Sequence, residues 1–162
     1  MSYVEPFNDF NAPRVAQLSQ RTNQFNLRTV RLTELDVSRI AEDSSYYTFT
    51  FTLRDIFGND GLVCVVILQK ESESVLFVES WFMSCRVLKR TLEGFILNEA
   101  VQFAQNRGFQ YLKAEYIPTT KNRIVKDLYK NMGFSHNNGY WILDLNSYQL
   151  QPSYIAVDDK HG

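Results

Sequence analysis

The residues best suited to chemistry lie together in one short segment, residues 84–91. Cys85 supplies a thiol, and the cations Arg86, Lys89 and Arg90 follow it closely. Neighbouring positive charge stabilises a thiolate, which is the nucleophilic form of cysteine. The segment therefore indicates a reactive thiol beside an anion-binding turn. On these residues alone, a solvated basic turn with a buried structural cysteine is an equally good interpretation.

The elements predicted on either side favour an anion site. An apolar run of strand type at residues 75–83 leads into the turn, and helical spacing begins near Thr91. The free N–H groups and the positive dipole end of a helix attract anions, and phosphate is the common ligand. We therefore expect Arg86, Lys89, Arg90 and Thr91 to hold a phosphate-bearing ligand.

Composition bounds the class of protein. A chain of 162 residues with 44% hydrophobic and 14% aromatic residues fits one globular domain with a substantial core. A net charge of -1 argues against a nucleic-acid binder.

No apolar run approaches the roughly 18 residues that span a membrane, and the N-terminus lacks the layout of a signal peptide. Two cysteines without zinc spacing and only two histidines predict no metal site. We expect a cytoplasmic protein with reduced thiols.

Hydrophobic patterns predict an α+β domain with a mixed sheet. Residues 47–53 alternate apolar and polar, residues 62–68 are apolar throughout, and residues 75–83 complete an antiparallel meander. A long amphipathic helix then ends near Gly108. The strand after it, residues 110–117, arrives by a crossover and should be parallel to the strand at residues 75–83.

The remaining elements follow weaker signals. They are an irregular lead-in at residues 1–10, a short helix from Asn11, a short strand at 27–32, a helix at 33–42, a helix from Thr119 or Thr120 to Gly133, and a last strand at 140–145. We expect one domain over residues 1–145 and a surface tail over residues 146–162, which lack a pattern.

A run of amides surrounds one aromatic residue at residues 22–27, Thr-Asn-Gln-Phe-Asn-Leu. It is too polar for a core strand. Two interpretations stay open, a lining of a binding site and a loop bonded through its own side chains, of which the second is the commoner arrangement.

The predicted order of three antiparallel strands, helix, strand, helix and strand resembles the GNAT superfamily of acyltransferases. In that superfamily the strand before the long helix ends in an Arg/Gln-x-x-Gly-x-Gly/Ala loop, which holds the pyrophosphate of an acyl-coenzyme A. The corresponding stretch is Arg86-Val87-Leu88-Lys89-Arg90-Thr91. Lys89 and Thr91 stand where the superfamily has glycines, and side chains there narrow the approach to the backbone.

The later stretch at residues 122–134 resembles the GNAT helix that ends in Tyr-x-x-x-Gly-Phe. The resemblance implies that Tyr129 is a general acid that protonates a leaving thiolate. It also implies that Asn122 contacts the pantetheine arm of the cofactor. Read without the resemblance, Tyr129 lies on the apolar face of a helix and is interpreted as a core residue.

A closer resemblance, to the C-terminal domain of FkbH-like proteins, runs along most of the chain. It is carried by five blocks in order: Pro13-Arg14-Val15-Ala16-Gln17-Leu18, Thr22-Asn23-Gln24-Phe25-Asn26-Leu27, Leu53-Arg54-Asp55-Ile56-Phe57-Gly58, Met83-Ser84-Cys85-Arg86-Val87-Leu88 and Pro118-Thr119-Thr120-Lys121-Asn122. Such proteins make glyceryl–acyl carrier protein from bisphosphoglycerate for methoxymalonyl-type polyketide extender units. They join this domain to a haloacid dehalogenase-type phosphatase domain.

The resemblance implies an acyltransferase domain that acts on the phosphopantetheine thiol of an acyl carrier protein, or on coenzyme A. Because cations and a predicted helix N-terminus flank Cys85, we hypothesise that its thiolate accepts a glyceryl group and passes it to that thiol. The phosphatase motif Asp-x-Asp does not occur in the chain, so the phosphatase domain would be a fused or separate partner. Two alternatives stay open. One is a non-catalytic module that docks a carrier protein, and the other is an acetyl-coenzyme A-dependent N-acetyltransferase, which the missing glycines count against.

Replacement of Cys85 tests the covalent step. Cys85→Ser should remove the glyceryl adduct and slow loading of the carrier protein by at least about a hundredfold, because a serine hydroxyl is not ionised near neutral pH. Intact-mass spectrometry after incubation with a glyceryl donor measures both effects. Cys64→Ala is the control, since Cys64 lies inside an apolar run and is predicted to be core. Undiminished loading by Cys85→Ser would contradict the covalent role.

Overall fold

All strands in the part of the chain that the structure describes belong to one mixed sheet. A computed structural model describes residues 2–54, 60–84, 92–150 and 157–159. The strands are β1 Ser2–Glu5, β2 Tyr46–Arg54, β3 Asp60–Lys70, β4 Val75–Met83, β5 Tyr111–Ala114, β6 Ser135–Asn137, β7 Tyr140–Asp144 and β8 Val157–Asp159. They form an eight-stranded sheet in the order β6-β7-β5-β4-β3-β2-β1-β8. The α+β class and the mixed sheet are therefore confirmed.

Helices cover both faces of the sheet. They are α1 Ala12–Arg21, α2 Glu34–Glu42, α3 Leu92–Asn106 and α4 Leu128–Asn131, with a 3-10 turn at Arg123–Val125. Buried residues of α3 and α4 share one core with one face of β2 to β5, while α1 and α2 pack on the opposite face of β3 and β4. Burial of β3 from Val63 to Leu68 confirms that this strand is covered on both faces.

The central meander matches the sequence prediction closely. β2, β3 and β4 pair antiparallel, and β5 pairs parallel to β4 as the crossover rule requires. The start of α2 was also predictable. Thr33 accepts the Asp36 N–H, and the Asp36 carboxylate accepts the Thr33 N–H, which forms a reciprocal capping box.

Both ends of the chain were predicted wrongly. Residues 1–10 are not an irregular lead-in, because Ser2–Glu5 pairs antiparallel with β2. The segment predicted as a patternless tail supplies Val157–Asp159, which pairs parallel with β1. Strands of three or four residues carry too little alternation to be read from sequence, and only pairing partners far along the chain define them.

Two internal elements also differ from prediction. Residues 27–32 are not a strand, and Thr29 adopts a positive φ of 55°, which is incompatible with a strand. The predicted continuous helix at 119–133 is reduced to the 3-10 turn and α4. Here Thr119 Oγ1 and the Asn122 side chain bond nearby backbone groups, and such local bonds compete with helix formation.

β4 and β5 diverge soon after they pair. Their parallel ladder covers only residues 75–77 and 111–113. Beyond it, residues 25–27, which we call the bridging segment, lie against the remainder of β4. The backbone bonds run from Leu27 N to Trp81 O, from Met83 N to Phe25 O and from Ile117 N to Leu27 O, at 3.3, 3.0 and 2.8 Å. The bridging segment thereby satisfies buried backbone groups that the divergence would leave unpaired.

Arg28 secures the bridging segment where the two strands part. Its guanidinium lies 3.1 Å from both the Glu79 and the Glu115 carboxylates, and it donates to the Glu79 carbonyl at 2.7 Å. It also stacks over the Phe77 ring at 5.0 Å. One side chain therefore ties the bridging segment to β4 and to the chain that follows β5.

Arg28→Met should destabilise the fold by about 2–3 kcal/mol. The Arg28 side chain is only 20% exposed, and its removal leaves two partly buried carboxylates side by side without a cation. Urea unfolding followed by circular dichroism measures the loss. Lys126→Met, at an exposed position, is the control and should stay within about 0.5 kcal/mol of wild type. Equal stability of the two variants would contradict a securing role for Arg28.

Candidate functional site

The predicted anion-binding turn falls between two well-defined elements. β4 ends at Met83 and α3 begins at Leu92, as the sequence indicated. The residues predicted to act there lie outside the described residues: Cys85, Arg86, Lys89, Arg90 and Thr91. Their roles stay predictions.

Tyr129 lies inside the core at the start of α4. It is 2% exposed, and its ring packs at 6.2 Å from the Trp81 ring and 4.9 Å from the Phe134 ring. Its hydroxyl is buried and has no hydrogen-bond partner within the described ranges. Burial raises the pKa of the Tyr129 hydroxyl far above its ordinary value, because desolvation disfavours the charged tyrosinate, so this hydroxyl holds its proton more tightly than an exposed tyrosine does.

A buried tyrosine hydroxyl without a hydrogen-bond partner, such as that of Tyr129, is unusual in a protein core. Leaving a buried donor unsatisfied costs about 1–3 kcal/mol, and native cores rarely tolerate it without a reason. A phenylalanine would fill the same space without that cost. The hydroxyl lacks an acceptor among the described residues, as do the nearby Trp81 Nε1 and the Ser80 hydroxyl, and its role as a general acid stays a prediction.

Asn122 is fully buried and holds three segments together. Its Nδ2 donates to the carbonyls of Asn26 and Ile117 at 3.0 and 2.9 Å. Its Oδ1 accepts the Thr119 N–H at 2.7 Å and the Tyr116 hydroxyl at 3.1 Å. These four bonds use both donors and both acceptor positions of the amide.

Asn122 therefore anchors the bridging segment to the chain after β5, in the same way that Arg28 does from the other side. Asn122 was singled out in the sequence by the resemblance of residues 122–134 to a GNAT helix, which implies a contact between Asn122 and the pantetheine arm. That contact stays a prediction, and a ligand would have to displace one of the internal bonds to make it.

A cavity of about 670 Å³ opens at the end of β4. The amide run lines it through Thr22, Asn23, Gln24 and Phe25, and its role in binding a ligand stays a prediction. The interpretation as a loop bonded through its own side chains is supported, because Asn26 Nδ2 donates to the Thr22 carbonyl at 3.4 Å and Asn26 Oδ1 accepts the Thr29 N–H at 2.8 Å. The other lining residues are Arg14, Gln17, Leu18, Arg21, Gly61, Leu62, Met83 and Ser84.

Sequence reasoning missed the contribution of α1 to this cavity. Arg14, Gln17, Leu18 and Arg21 recur at spacings of three, four and seven residues and so share one face of the helix. This spacing is visible in the sequence. It was overlooked because only the residues predicted to be buried in this helix were interpreted.

Phe25 links the cavity to Tyr129. The Phe25 ring lines the cavity and lies 5.5 Å from the Trp81 ring, which in turn contacts Tyr129. Ser84, which also lines the cavity, directly precedes Cys85 in the sequence. The structure thus brings the amide run, the end of β4 and Tyr129 into one neighbourhood.

Two other chemically capable residues are structural. Cys64 is fully buried, and that burial raises the pKa of its thiol well above the ordinary value, as expected of a core cysteine. His136 is exposed and packs on Trp141 at 4.7 Å. Within the described ranges, no group of histidine, cysteine and carboxylate side chains is arranged to hold a metal ion. None of the helices described there is long and apolar enough to cross a membrane.

Comparison with solved structures identifies the fold. The ribosomal-protein-S18-alanine N-acetyltransferase of Escherichia coli superposes with a TM-score of 0.67 at 15% identity, covering 90% of this chain and 94% of that one. The GNAT domain of S. lividans PAT gives 0.66 at 15% identity, covering 87% and 89%. The spermidine N-acetyltransferase of Vibrio cholerae, in complex with coenzyme A and spermine, gives 0.67 at 10% identity, covering 91% and 97%.

The chain therefore has the GNAT fold, and the fold prediction is confirmed. Identities this low show the fold and nothing finer. No protein-family model matches the sequence, and no curated protein sequence is significantly similar to it. The resemblance to FkbH-like proteins stays a prediction.

Asn122→Ala should lower the free energy of unfolding by about 2–4 kcal/mol, because it leaves the Asn26 and Ile117 carbonyls buried without donors. Chemical denaturation measures the change. Asn131→Ala, at an exposed position of α4, is the control and should have little effect. Wild-type stability with weakened coenzyme A binding would instead favour a ligand-binding role for Asn122.

Proposed function

We propose that this chain is an acyltransferase domain that transfers an acyl group to a phosphopantetheine thiol. The specific reaction we propose is loading of a glyceryl group onto an acyl carrier protein, with a phosphatase domain as partner. The observation that carries acyl transfer is the GNAT fold, in which the Tyr129 hydroxyl is buried and has no hydrogen-bond partner among the described residues. The carrier protein, the glyceryl group and the phosphatase partner rest on the sequence resemblance alone.

The described residues fit a thiol ligand in one respect. A thiolate is an acceptor of the kind that the orphaned Tyr129 hydroxyl lacks, and no described side chain supplies one. Phosphopantetheine would supply the reacting thiol, whether it is borne by coenzyme A or by a carrier protein. The cations predicted to hold its phosphate, Arg86, Lys89 and Arg90, follow β4 directly in the sequence.

The proposed sequence of steps balances. The Cys85 thiolate attacks the carbonyl of an acyl phosphate, and phosphate leaves with the electron pair of the broken C–O bond. The thiol of the carrier protein then attacks the Cys85 thioester. Tyr129 gives its proton to the departing Cys85 thiolate and regains one from the attacking thiol.

A second candidate is an N-acetyltransferase that uses acetyl-coenzyme A. The observation in its favour is the fold, because several solved neighbours are named N-acetyltransferases and the Vibrio cholerae enzyme is in complex with coenzyme A. The substitution of Lys89 and Thr91 for the glycines of the superfamily loop counts against it.

Intact-mass spectrometry separates these candidates. The chain would be incubated with a phosphopantetheinylated carrier protein and a glyceryl donor, with a phosphatase domain added in a parallel sample. A glyceryl mass on Cys85 or on the carrier, dependent on this chain, supports the proposal. Acetyl transfer from acetyl-coenzyme A to an amine without carrier loading supports the second candidate. Carrier binding without any adduct supports a docking module.

Tyr129→Phe should slow acyl transfer by about a hundredfold or more while leaving stability unchanged or higher. The variant keeps the ring packing and removes only a hydroxyl that has no partner. Rates of carrier loading and urea denaturation measure the two effects.

Tyr148→Phe is the matched control for Tyr129→Phe. The Tyr148 hydroxyl donates to Asn98 Oδ1 at 2.6 Å, so its loss should lower stability by about 0.5–1.5 kcal/mol without slowing transfer. Full activity of Tyr129→Phe would show that Tyr129 is a core residue and no acid.

A further inference from the structure

One face of β4, β5 and β7 is only partly covered in the described structure. Leu76, Leu112 and Leu143 point into the core beneath α3 and α4, so their alternating neighbours point to the other face. These neighbours, which we call the open face, are Val75, Phe77, Tyr111, Lys113, Tyr140 and Ile142. Tyr111 is 38% exposed, the others are half-buried, and none belongs to either described hydrophobic core. A sheet face normally packs on another layer, so the open face is a candidate interface.

A cavity of about 420 Å³ lies on the open face. Its apolar lining comes from Val75, Tyr111, Tyr140 and Ile142. A partly buried apolar cavity of this kind accepts an aliphatic side chain from a binding partner, and such insertions contribute much of the affinity of an interface.

The open face already holds two cations, each between an aromatic ring and a carboxylate. The Arg28 guanidinium lies 5.0 Å from the centre of the Phe77 ring and 3.1 Å from two carboxylates. Lys113 Nζ lies 4.1 Å from the centre of the Tyr140 ring and 3.0 Å from the Glu71 carboxylate. Cation–π attraction and charge act together at both positions.

Tyr111 is a third ring on this face, and within the described part of the chain no cation lies over it. It stands directly opposite Asp144 in the ladder between β5 and β7. The carboxylates on and around the open face are Glu71, Glu79, Glu115 and Asp144, and the cations are Arg28 and Lys113. Because the described carboxylates outnumber the described cations there, the open face favours a basic partner.

Residues 121–130, which we call the basic segment, have the opposite charge. Four cations, Lys121, Arg123, Lys126 and Lys130, accompany one carboxylate, Asp127. Within the described ranges none of the four cations takes part in an ion pair. Ile124 lies among them and is 59% exposed. The basic segment therefore offers an aliphatic side chain surrounded by cations, which complements the open face in both respects.

The basic segment and the open face lie on opposite sides of the sheet. Val125 and Tyr129 point from the segment into the core beneath α3 and α4, whereas Arg123, Ile124 and Lys130 are exposed on its outer side. A chain therefore cannot place its own basic segment on its own open face. Contact between these two different surfaces has to join two copies head to tail.

We propose that the open face binds the basic segment of a second copy of this chain. Ile124 of the second copy enters the cavity, and one of its cations lies over the Tyr111 ring. Single surface ion pairs are weak and are screened by salt, so we expect association that is reversible and salt-sensitive. Neither Cys85 nor the Tyr129 hydroxyl takes part, so this proposal does not depend on the proposed function.

Sedimentation equilibrium of the intact chain tests the proposal, from about 1 to 500 μM protein, at low salt and at about 0.5 M salt, where the Debye length is about 4 Å. We expect wild type to associate at low salt and to dissociate at high salt. Ile124→Glu on the basic segment and Tyr111→Lys on the open face should each weaken association by about tenfold or more. Arg123→Glu combined with Lys130→Glu, both at exposed positions, should do the same.

Leu35→Glu is the matched control and should associate as wild type does, because Leu35 on α2 is also 59% exposed but belongs to neither surface. A mixture of Ile124→Glu and Tyr111→Lys should form a dimer that grows no further, because each variant keeps the surface that the other has lost. Circular dichroism checks that every variant is folded. If Tyr111→Lys does not fold, the variants of the basic segment still decide the result.

Three outcomes would overturn the proposal. The first is a wild-type chain that stays monomeric at every concentration. The second is association that Ile124→Glu leaves unchanged, which would mean that the basic segment is not the occupant. The third is a monomeric wild-type chain that binds a synthetic lysine-rich peptide and loses it in Tyr111→Lys, which would assign the open face to a basic partner other than a second copy.

Discussion

The structure depends on how the gap between β4 and β5 is closed. Parallel strands that diverge expose backbone groups on facing edges, and a buried unpaired amide or carbonyl is expensive. The bridging segment at residues 25–27 fills this gap with main-chain bonds to Trp81, Met83 and Ile117. Arg28 and Asn122 then fix the segment by charge and by amide bonds. Neither side chain is in a helix or a strand, yet both hold the sheet in shape.

The bridging segment that fills the gap between β4 and β5 also positions the candidate site. Because the bridging segment is fixed, Phe25 is held between the cavity and Trp81, and Trp81 packs against Tyr129. The groups that could do chemistry therefore lie on α1, on the bridging segment, at the end of β4 and on α4, all of which the sheet supports. A shift of the segment would alter the cavity wall and the packing of Tyr129 together.

The fold by itself does not decide which substrate this chain takes. A GNAT fold accommodates different acceptors, since one neighbour is named for spermidine and another for an alanine of ribosomal protein S18. In this chain Arg14 and Arg21 line the cavity and have no partner among the described residues, whereas Arg31 bonds backbone carbonyls at the end of α1.

Local patterns in the sequence determined the central meander, the capping box of α2, the long helix α3 and the crossover that makes β5 parallel to β4. Alternation, capping and helical spacing are encoded within a few residues, so each could be recognised from the sequence alone. The candidate thiol, Tyr129 and the amide run were also visible as residue types.

Tertiary structure decided the rest. β1 and β8 exist only because distant strands pair with them, and residues 27–32 leave the sheet because Asn26 bonds Thr29 and turns the chain. Long-range contacts also decide which polar groups find hydrogen-bond partners. They satisfy every donor and acceptor of the Asn122 amide. Among the described residues they leave the Tyr129 hydroxyl, Arg14 and Arg21 without a partner. The spacing of residues in the sequence determines local secondary structure. Contacts between residues far apart in the sequence determine which strands pair and which polar side chains have a hydrogen-bond partner.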